Sequence, residues 1–382
     1  MTRTDVVFTF SVEMLDDAVD REFCRPPDQT LLALARDGRV GALLAADSWR
    51  SLPLSVARRR PYRLSEPVTI AGRSAVRVRP HRLRRVESTD LGKVEVAYRA
   101  YARRLGAALA RSRGESTPRP ESAALITYHP FVAAFCTAPW IRNVVFVAQD
   151  DWATGDGVRP WWDLYRESYQ RIEERKAAIF AVSAELAGRI SPRVCVVPNG
   201  VSPEVWNPRR PAPPRIEALP RPRAIYTGTI DDRLDRALVE LTARSVGSFV
   251  LIGIPGDPET IRWLRSVDNV HVFGSVGQRE LAATVQACDV GVLPHRDGPC
   301  IRAMSPLKLY EYLAAGLPVV AVDFPPVHGI DDRVQICRRE DWAGVLRHAL
   351  TTGRTSDARR LQFIENVSWE RRMQPIVEAT IS

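Results

Sequence analysis

The sequence predicts an α/β protein of two Rossmann-like domains, each a parallel sheet covered by helices, the two facing across a cleft. Two observations predict it. Apolar, strand-like runs alternate with segments of helical period twice over along the 382 residues, the pattern of parallel strands joined by helical crossovers. Between the two series lies SPEVWNPRRPAPPRIEALPRPR, residues 202–223, rich in Pro and Arg and without clean periodicity, which reads as an interdomain linker. With 45% hydrophobic and 26% charged residues the chain is ordinary globular protein, long enough for two or three domains, so disorder is not expected.

The first domain, residues 1–201, carries apolar runs that read as strands near 5–10, 40–46, 68–78, 123–128, 144–148, 178–182 and 194–197. Helical segments are expected near 28–37, 92–113, 160–177 and 184–190. The second domain, residues 224–364, repeats the scheme with strands near 224–228, 248–253, 270–273, 289–293 and 318–322, and a helical tail follows. Ligands of such folds sit beyond the carboxyl ends of the strands, so residues that follow a strand carry functional weight.

Residues 305–322, SPLKLYEYLAAGLPVVAV, are the most informative stretch. Ser305 is the expected N-cap, Pro306 suits the first helical position, and Gly316 with Pro318 stops the helix before an apolar strand. From Leu307 onward the first turn presents free N–H groups at the positive end of the helix dipole, a setting suited to phosphate. Lys308 and Glu311, three apart, share a face. A cation beside the amides and a carboxylate one turn deeper match a nucleotide diphosphate, Lys308 meeting phosphate charge and Glu311 accepting from ribose hydroxyls. The plainer alternative is a solvated ion pair on an amphipathic helix.

Charge and cysteines narrow the setting. The formal net charge is +9, and residues 58–85 hold ten arginines and one acid, Glu66, a stripe that suits an anionic acceptor, an acidic lipid surface or nucleic acid. An ordinary solvated surface explains it equally well. The six cysteines are scattered without a CxxC pair, so neither a zinc site nor a disulfide framework is expected. The opening MTRTDVVFTFSVEML does not read as a signal peptide and no apolar run approaches 18 residues, which points to a cytoplasmic protein, at most peripheral at the inner face of a membrane.

In the first domain His129 follows the apolar run AALITY and precedes Pro130, a place from which its imidazole could donate to a sugar oxygen or relay a proton. Asp150 and Asp151 also end a strand, where one could contact an acceptor hydroxyl or orient His129; helix caps or turn residues are the plainer reading. Trp152, Trp161 and Trp162 could stack on a sugar or pack the core.

Several motifs in order resemble the GT-B glycosyltransferases, retaining family-4-like enzymes of the teichuronic-acid-type branch in particular. Residues 306–320 match P-x-K-x-x-E-Y-x-A-x-G-x-P-V-V; FVAQDDW (146–152), AAIFAVSAELAGRISPRVCVVPNG (177–200), IYTGTI (225–230), CDVGVLP (288–294) and SWER (368–371) follow the family's pattern along the chain. The resemblance covers about residues 120–375 and implies that the tail, 365–382, crosses back to the first domain. It places the donor phosphates at the turn of Gly228. There Thr229 stands where related enzymes carry arginine, and no lysine follows, so Arg233, Arg296 and Arg302 become candidates beside Lys308. Glu311 matches the second Glu of an E-x7-E pattern whose first position holds Ala303, which puts the usual sugar contact in doubt.

The resemblance implies transfer of a sugar from a nucleotide-diphosphate sugar to an acceptor hydroxyl, without a metal or other cofactor and with retention of configuration. Fixed cations and helix-start amides would stabilise the leaving diphosphate. If the enzyme inverts instead, His129 or Asp151 is the base candidate. The acceptor, a sugar, a lipid-linked compound or a small molecule, would belong to the first domain. A sugar-nucleotide epimerase or pseudo-glycosyltransferase on the same fold, and a non-catalytic nucleotide-sugar or nucleic-acid binding protein, are the alternatives.

Overall fold

A computed structural model of the chain describes residues 3–57 and 64–382. Arginines 58, 59, 60 and 63 of the basic stripe lie outside the described residues. The chain divides into two compact units, Met1–Pro198 with Arg372–Ser382, and Asn199–Arg371.

The first unit is built on an eight-stranded sheet of β1 (Thr4–Thr9), β2 (Val40–Ala46), β3 (Ser65–Ile70), β4 (Arg73–Val78), β5 (Ala123–Thr127), β6 (Ile141–Ala148), β7 (Ala178–Ala181) and β8 (Cys195–Val196). Its order is β8-β7-β6-β5-β1-β2-β4-β3, parallel except for the edge hairpin β3–β4. The single strand expected over 68–78 is therefore two. They are joined at Ala71 and Gly72, both with positive φ, the backbone of a tight two-residue hairpin turn. The central strands read as unbroken apolar runs because helices cover both faces; every residue of β5 is buried. Thr9 and Thr127, paired in register, exchange a 2.6 Å hydroxyl hydrogen bond that locks β1 to β5 at their carboxyl ends.

The chain's last helix, Trp369–Ile381, ends in the first unit. Thr4 Oγ1 donates to Ile381 O at 3.1 Å and Asn143 Nδ2 to Ala379 O at 3.1 Å. Met373 is buried with its sulfur 2.9 Å from Thr30 Oγ1. These contacts return the tail to the first sheet.

The second unit holds a six-stranded, all-parallel sheet of β9 (Arg223–Thr227), β10 (Ser248–Ile252), β11 (Val270–Phe273), β12 (Val290–Leu293), β13 (Val319–Val322) and β14 (Val334–Cys337), in the order β11-β10-β9-β12-β13-β14. β14 is an element without an expectation behind it. Residues 202–223, expected as the linker, pack on this unit through two short helices, Pro203–Trp206 and Pro214–Glu217, with Trp206 and Ile216 buried in its core.

Both sheets reverse their winding at one place. In the first, the chain turns from β1 to β2 on one side while β5 takes the other; in the second, β10 and β12 flank β9 in the same way. Such switch points open a crevice at the strand ends. The crevices lie beyond Thr9 and Thr127 in one unit and beyond Thr227 and Leu293 in the other. No helix among the described residues is long and apolar enough to cross a membrane.

Candidate functional site

In the second unit the crevice is walled by the helix Leu307–Ala315, which connects β12 to β13. The expected cap is corrected: Pro306 takes the N-cap position and no side chain caps the helix. Ser305 is engaged elsewhere. Its Oγ accepts from Asn199 N at 3.3 Å and its carbonyl from Asn199 Nδ2 at 2.7 Å. The amides of the first turn are left without a capping side chain, Leu309 N donating to Pro306 O at 2.9 Å. At the other end Gly316 adopts φ +86 and Leu317 N returns to Tyr312 O, the left-handed stop expected from the sequence.

Lys308 reaches across to β9. Its Nζ donates to Tyr226 Oη at 3.0 Å and lies 4.2 Å from the ring centroid, while Tyr226 Oη donates to Thr229 O at 3.2 Å. Gly228, at φ +120, makes room: a Cβ there would lie 3.1 Å from Lys308 Cε and 3.2 Å from Nζ. Burial first, then the charge of Arg233, drives Lys308 down from 10.5 to about 7, with Glu311 and Asp231 working the other way. Burial likewise raises Glu311 to about 7, opposed by Lys308. Both residues keep part of their surface exposed. His295, buried edge-on to Tyr226 at 5.7 Å, is held neutral by burial and by the positive charge of Lys308 and Arg233.

The arginine candidates separate. Arg233 is aligned by Asp231, with Nε at 2.9 and 3.0 Å from its carboxylate oxygens, and its charge acts on Lys308. Arg296 is exposed, with Nη1 3.3 Å from Asp232 O, and Arg302 is exposed in a bidentate pair with Asp297. Tyr312 is a residue the sequence reading passed over. Its hydroxyl accepts the Thr227 N–H at 2.7 Å, which fixes the end of β9 where the crevice begins. Tyr226, Asp231 and Asn199 were missed as well; the Asn of the PNG motif was the one legible signal among them.

In the first unit the crevice deepens into a cavity of about 270 Å³. Its walls include Trp49, Tyr98, Trp152, Trp161 and Tyr165, with Arg82 and Glu87 at one side. His129 forms part of the lining. Its Nδ1 accepts the Phe131 N–H at 3.1 Å and caps the short helix Pro130–Phe135, so the ring proton sits on Nε2. Burial, helped by the positive Arg82, lowers its pKa from 6.5 to about 3. This neutral ring is a donor. With Nδ1 occupied and the imidazolium disfavoured by burial, Nε2–H is left to donate.

Neither Asp150 nor Asp151 lines this cavity. Asp151 accepts from Arg189 at 2.6 Å, from Thr154 Oγ1 at 3.0 Å and from Ala153 N at 3.0 Å, so its carboxylate organises the loop after β6. It faces a different hollow from His129. Asp150 is exposed and does not line the aromatic cavity. Trp162 donates to Gly155 O at 2.9 Å and is a packing residue.

Comparison with known proteins bears on the fold and on the second unit. Residues 221–350 match the family described as Glycosyl transferases group 1. The teichuronic acid biosynthesis glycosyltransferase TuaH, so named in Bacillus subtilis strain 168, is 29% identical over 139 residues, 35% of each chain, so this chain covers about a third of that relative. Among solved structures, a sucrose-phosphate synthase from Thermosynechococcus elongatus superposes with a TM-score of 0.66 at 14% identity, over 98% of both chains. A UDP-forming trehalose-phosphate synthase from Burkholderia vietnamiensis gives 0.65 at 16%, over 99% of this chain and 96% of that one. The E. coli enzyme bound with UDP-2-fluoro glucose gives 0.59 at 13%, over 99% and 100%. The chain therefore has the GT-B fold, with the match to the group 1 glycosyl transferases confined to residues 221–350.

Proposed function

We propose that this protein transfers a sugar from a nucleotide-diphosphate sugar to an acceptor hydroxyl. The observation that carries the reading is the convergence of Lys308, Arg233 and an uncapped helix start on one crevice, with Glu311 one turn deeper on the same helix. The diphosphate lies against the ammonium and the first-turn amides, and Glu311 accepts from the ribose hydroxyls. As the glycosidic bond breaks, negative charge grows on the leaving diphosphate. Cations and amides already aimed there stabilise it without reorganisation. The pairing of a related fold with UDP-2-fluoro glucose supports a nucleotide sugar as the donor.

Retention of configuration accords with this layout. The leaving phosphate, held beside Lys308, receives the acceptor proton on the face it departs from, and no separate base is required; His129, neutral with its proton on Nε2, contributes a hydrogen bond. The acceptor is taken by the aromatic cavity of the first unit, where Trp and Tyr faces suit a sugar ring.

The test is a thermal-shift screen of UDP-, GDP- and dTDP-sugars, since a ligand bound only to the folded state raises Tm by mass action. One of them raises Tm in the native protein and not in Lys308→Ala. No response to any, or an equal response in the variant, removes the reading.

A further inference from the structure

Beside the aromatic cavity the first unit has a second, smaller hollow of about 210 Å³. It lies at the carboxyl ends of the neighbouring strands β1, β2 and β4, and its walls come from the segments that follow them, within residues 14–20, 47–50 and 79–81. Main-chain bonds stitch these segments together: Asp47 N donates to Val78 O at 2.9 Å, Ser48 N to Glu13 O at 3.3 Å and Arg50 N to Pro80 O at 3.2 Å. Ser48 and Arg50 line both hollows, so the two share a wall.

Some polar groups of the smaller hollow are engaged and others are not. Arg77 donates to Asp16 at 2.6 and 2.7 Å and to one oxygen of Asp47 at 2.8 Å, while the other oxygen of Asp47 accepts Leu15 N at 2.8 Å. Asp17 accepts Met14 N at 2.8 Å through one oxygen, and Asp20 has no ion pair or hydrogen bond among the described residues. Arg79 pairs with Glu66 through Nη2, but its Nη1 is buried without a hydrogen-bond partner. The same holds for Nδ1 of His81, a residue only 9% exposed; burial first, with the positive Arg104 and Arg79 acting the same way, lowers its pKa and keeps the ring neutral. Across the shared wall Trp49 also has its Nε1 buried without a partner, in the lining of the aromatic cavity. Buried donors and acceptors left in this way destabilise the empty protein and are met when a ligand supplies the missing partner.

We propose that the smaller hollow is a separate subsite for an uncharged, hydroxyl-rich ring, so that the acceptor is an oligosaccharide with its terminal ring in the aromatic cavity and its next ring here. As a statement about the acceptor this rests on the transferase reading. The lining selects among ligand classes. A phosphate or carboxylate meets Arg79 but faces Asp16, Asp17, Asp20 and Asp47, and an ammonium meets the aspartates but leaves the buried N–H of Arg79 without an acceptor. A hydroxyl serves both sides. It accepts from Arg79 Nη1 and donates to a carboxylate, and it suits His81 Nδ1 in either tautomer. The vicinal hydroxyls of a sugar present such donor and acceptor pairs on one rigid ring, while the Trp and Tyr faces beyond the wall of Ser48 and Arg50 take the apolar face of the adjoining one.

The experiment titrates the full chain with sugars in matched sets, glucose against maltose and cellobiose, and N-acetylglucosamine against chitobiose, and reads the fluorescence of Trp49, Trp152 and Trp161 in the cavity wall. At least one disaccharide binds roughly tenfold more tightly than its monosaccharide. Asp20→Ala and Arg79→Met each bring that disaccharide back to about the affinity of the monosaccharide. The monosaccharide itself binds both variants as it binds the native protein, which reports that the first unit is folded. No binding by any of these sugars, or equal affinities within every set, overturns the inference. So does an Asp20→Ala variant that weakens monosaccharide and disaccharide alike or weakens neither, and so does inorganic phosphate that displaces the disaccharide while leaving the monosaccharide bound, the mark of an anion site. Because the titration contains no nucleotide, its failure leaves the donor reading standing, and a silent donor screen leaves the sugar subsite standing.

Discussion

The sharpest consequence of the Lys308 and Glu311 environment is a proton exchange on donor binding that changes sign near neutrality. Burial brings both groups to about 7, from opposite directions. Near pH 7 the empty pair therefore holds close to one proton, whichever residue carries it. A bound diphosphate stabilises the ammonium and ribose hydroxyls stabilise the carboxylate, so the occupied pair holds one proton over a wide range. At pH 8 the empty pair is mostly proton-free, and binding takes up about 0.8 proton; at pH 6 it holds nearly two, and binding releases about 0.8. Isothermal titration calorimetry with a nucleotide sugar in buffers of different ionisation enthalpy reads this number directly. A nucleotide sugar is the proper probe because its diphosphate diester does not itself titrate there. Lys308→Met should keep the release at pH 6 and lose the uptake at pH 8. Exchange of the same sign at both pH values, or none at either, would refute the claim that these two groups jointly contact the donor.

Four further outcomes follow from individual contacts. Gly228→Ala places a Cβ about where the Lys308 chain lies and forces a residue with a side chain to φ +120, so donor affinity in the same calorimetry falls roughly tenfold and stability by ~1–3 kcal/mol. Tyr312→Phe strands the buried Thr227 N–H, at a cost of ~1–3 kcal/mol, or about 2–4 °C in Tm per kcal/mol for a domain of this size; an unchanged melting curve contradicts the assigned bond. Glu311→Ala should abolish the preference for a ribonucleotide over its 2′-deoxy counterpart, which competition binding measures as a ratio near one. His129→Phe lowers turnover yet leaves the shape of the pH–rate profile between pH 5 and 8 intact, because the native ring is already neutral there; a limb that vanishes in the variant shows that His129 titrates.

Strand-and-helix alternation is readable because its period is local, and the helix 184–190 and the strands at 40–46 and 270–273 came out to the residue. What failed depended on backbone choices or on distant partners. The hairpin at Ala71 and Gly72 looked like one strand because Ala-Gly is a weak turn signal beside Asn-Gly. Ser305 looked like an N-cap because Ser followed by Pro is the usual pairing; a partner 106 residues away, Asn199, took its hydroxyl instead. Tyr312 was invisible for a related reason. Its ring lies over Gly291 of β12, where a Cβ would come within 2.3 Å of it, and that vacancy is what lets its hydroxyl reach Thr227. The sequence CDVGVLP shows the glycine but not the side chain that needs it.

Charge at the donor crevice follows the same logic. With Thr229 where related enzymes carry arginine, a motif scan finds the turn deficient in one cation. Four residues later stands Arg233. Arg233 is carried back by the loop that Asp231 organises, and its field is strong enough to act on both Lys308 and His295. Arg296 and Arg302, nearer to Lys308 in sequence, stay exposed, Arg296 donating to the backbone carbonyl of Asp232 and Arg302 to the carboxylate of Asp297. An arginine reaches a half-buried crevice when an acid is positioned to align it there, and one aligned by an exposed acid is retained at the surface.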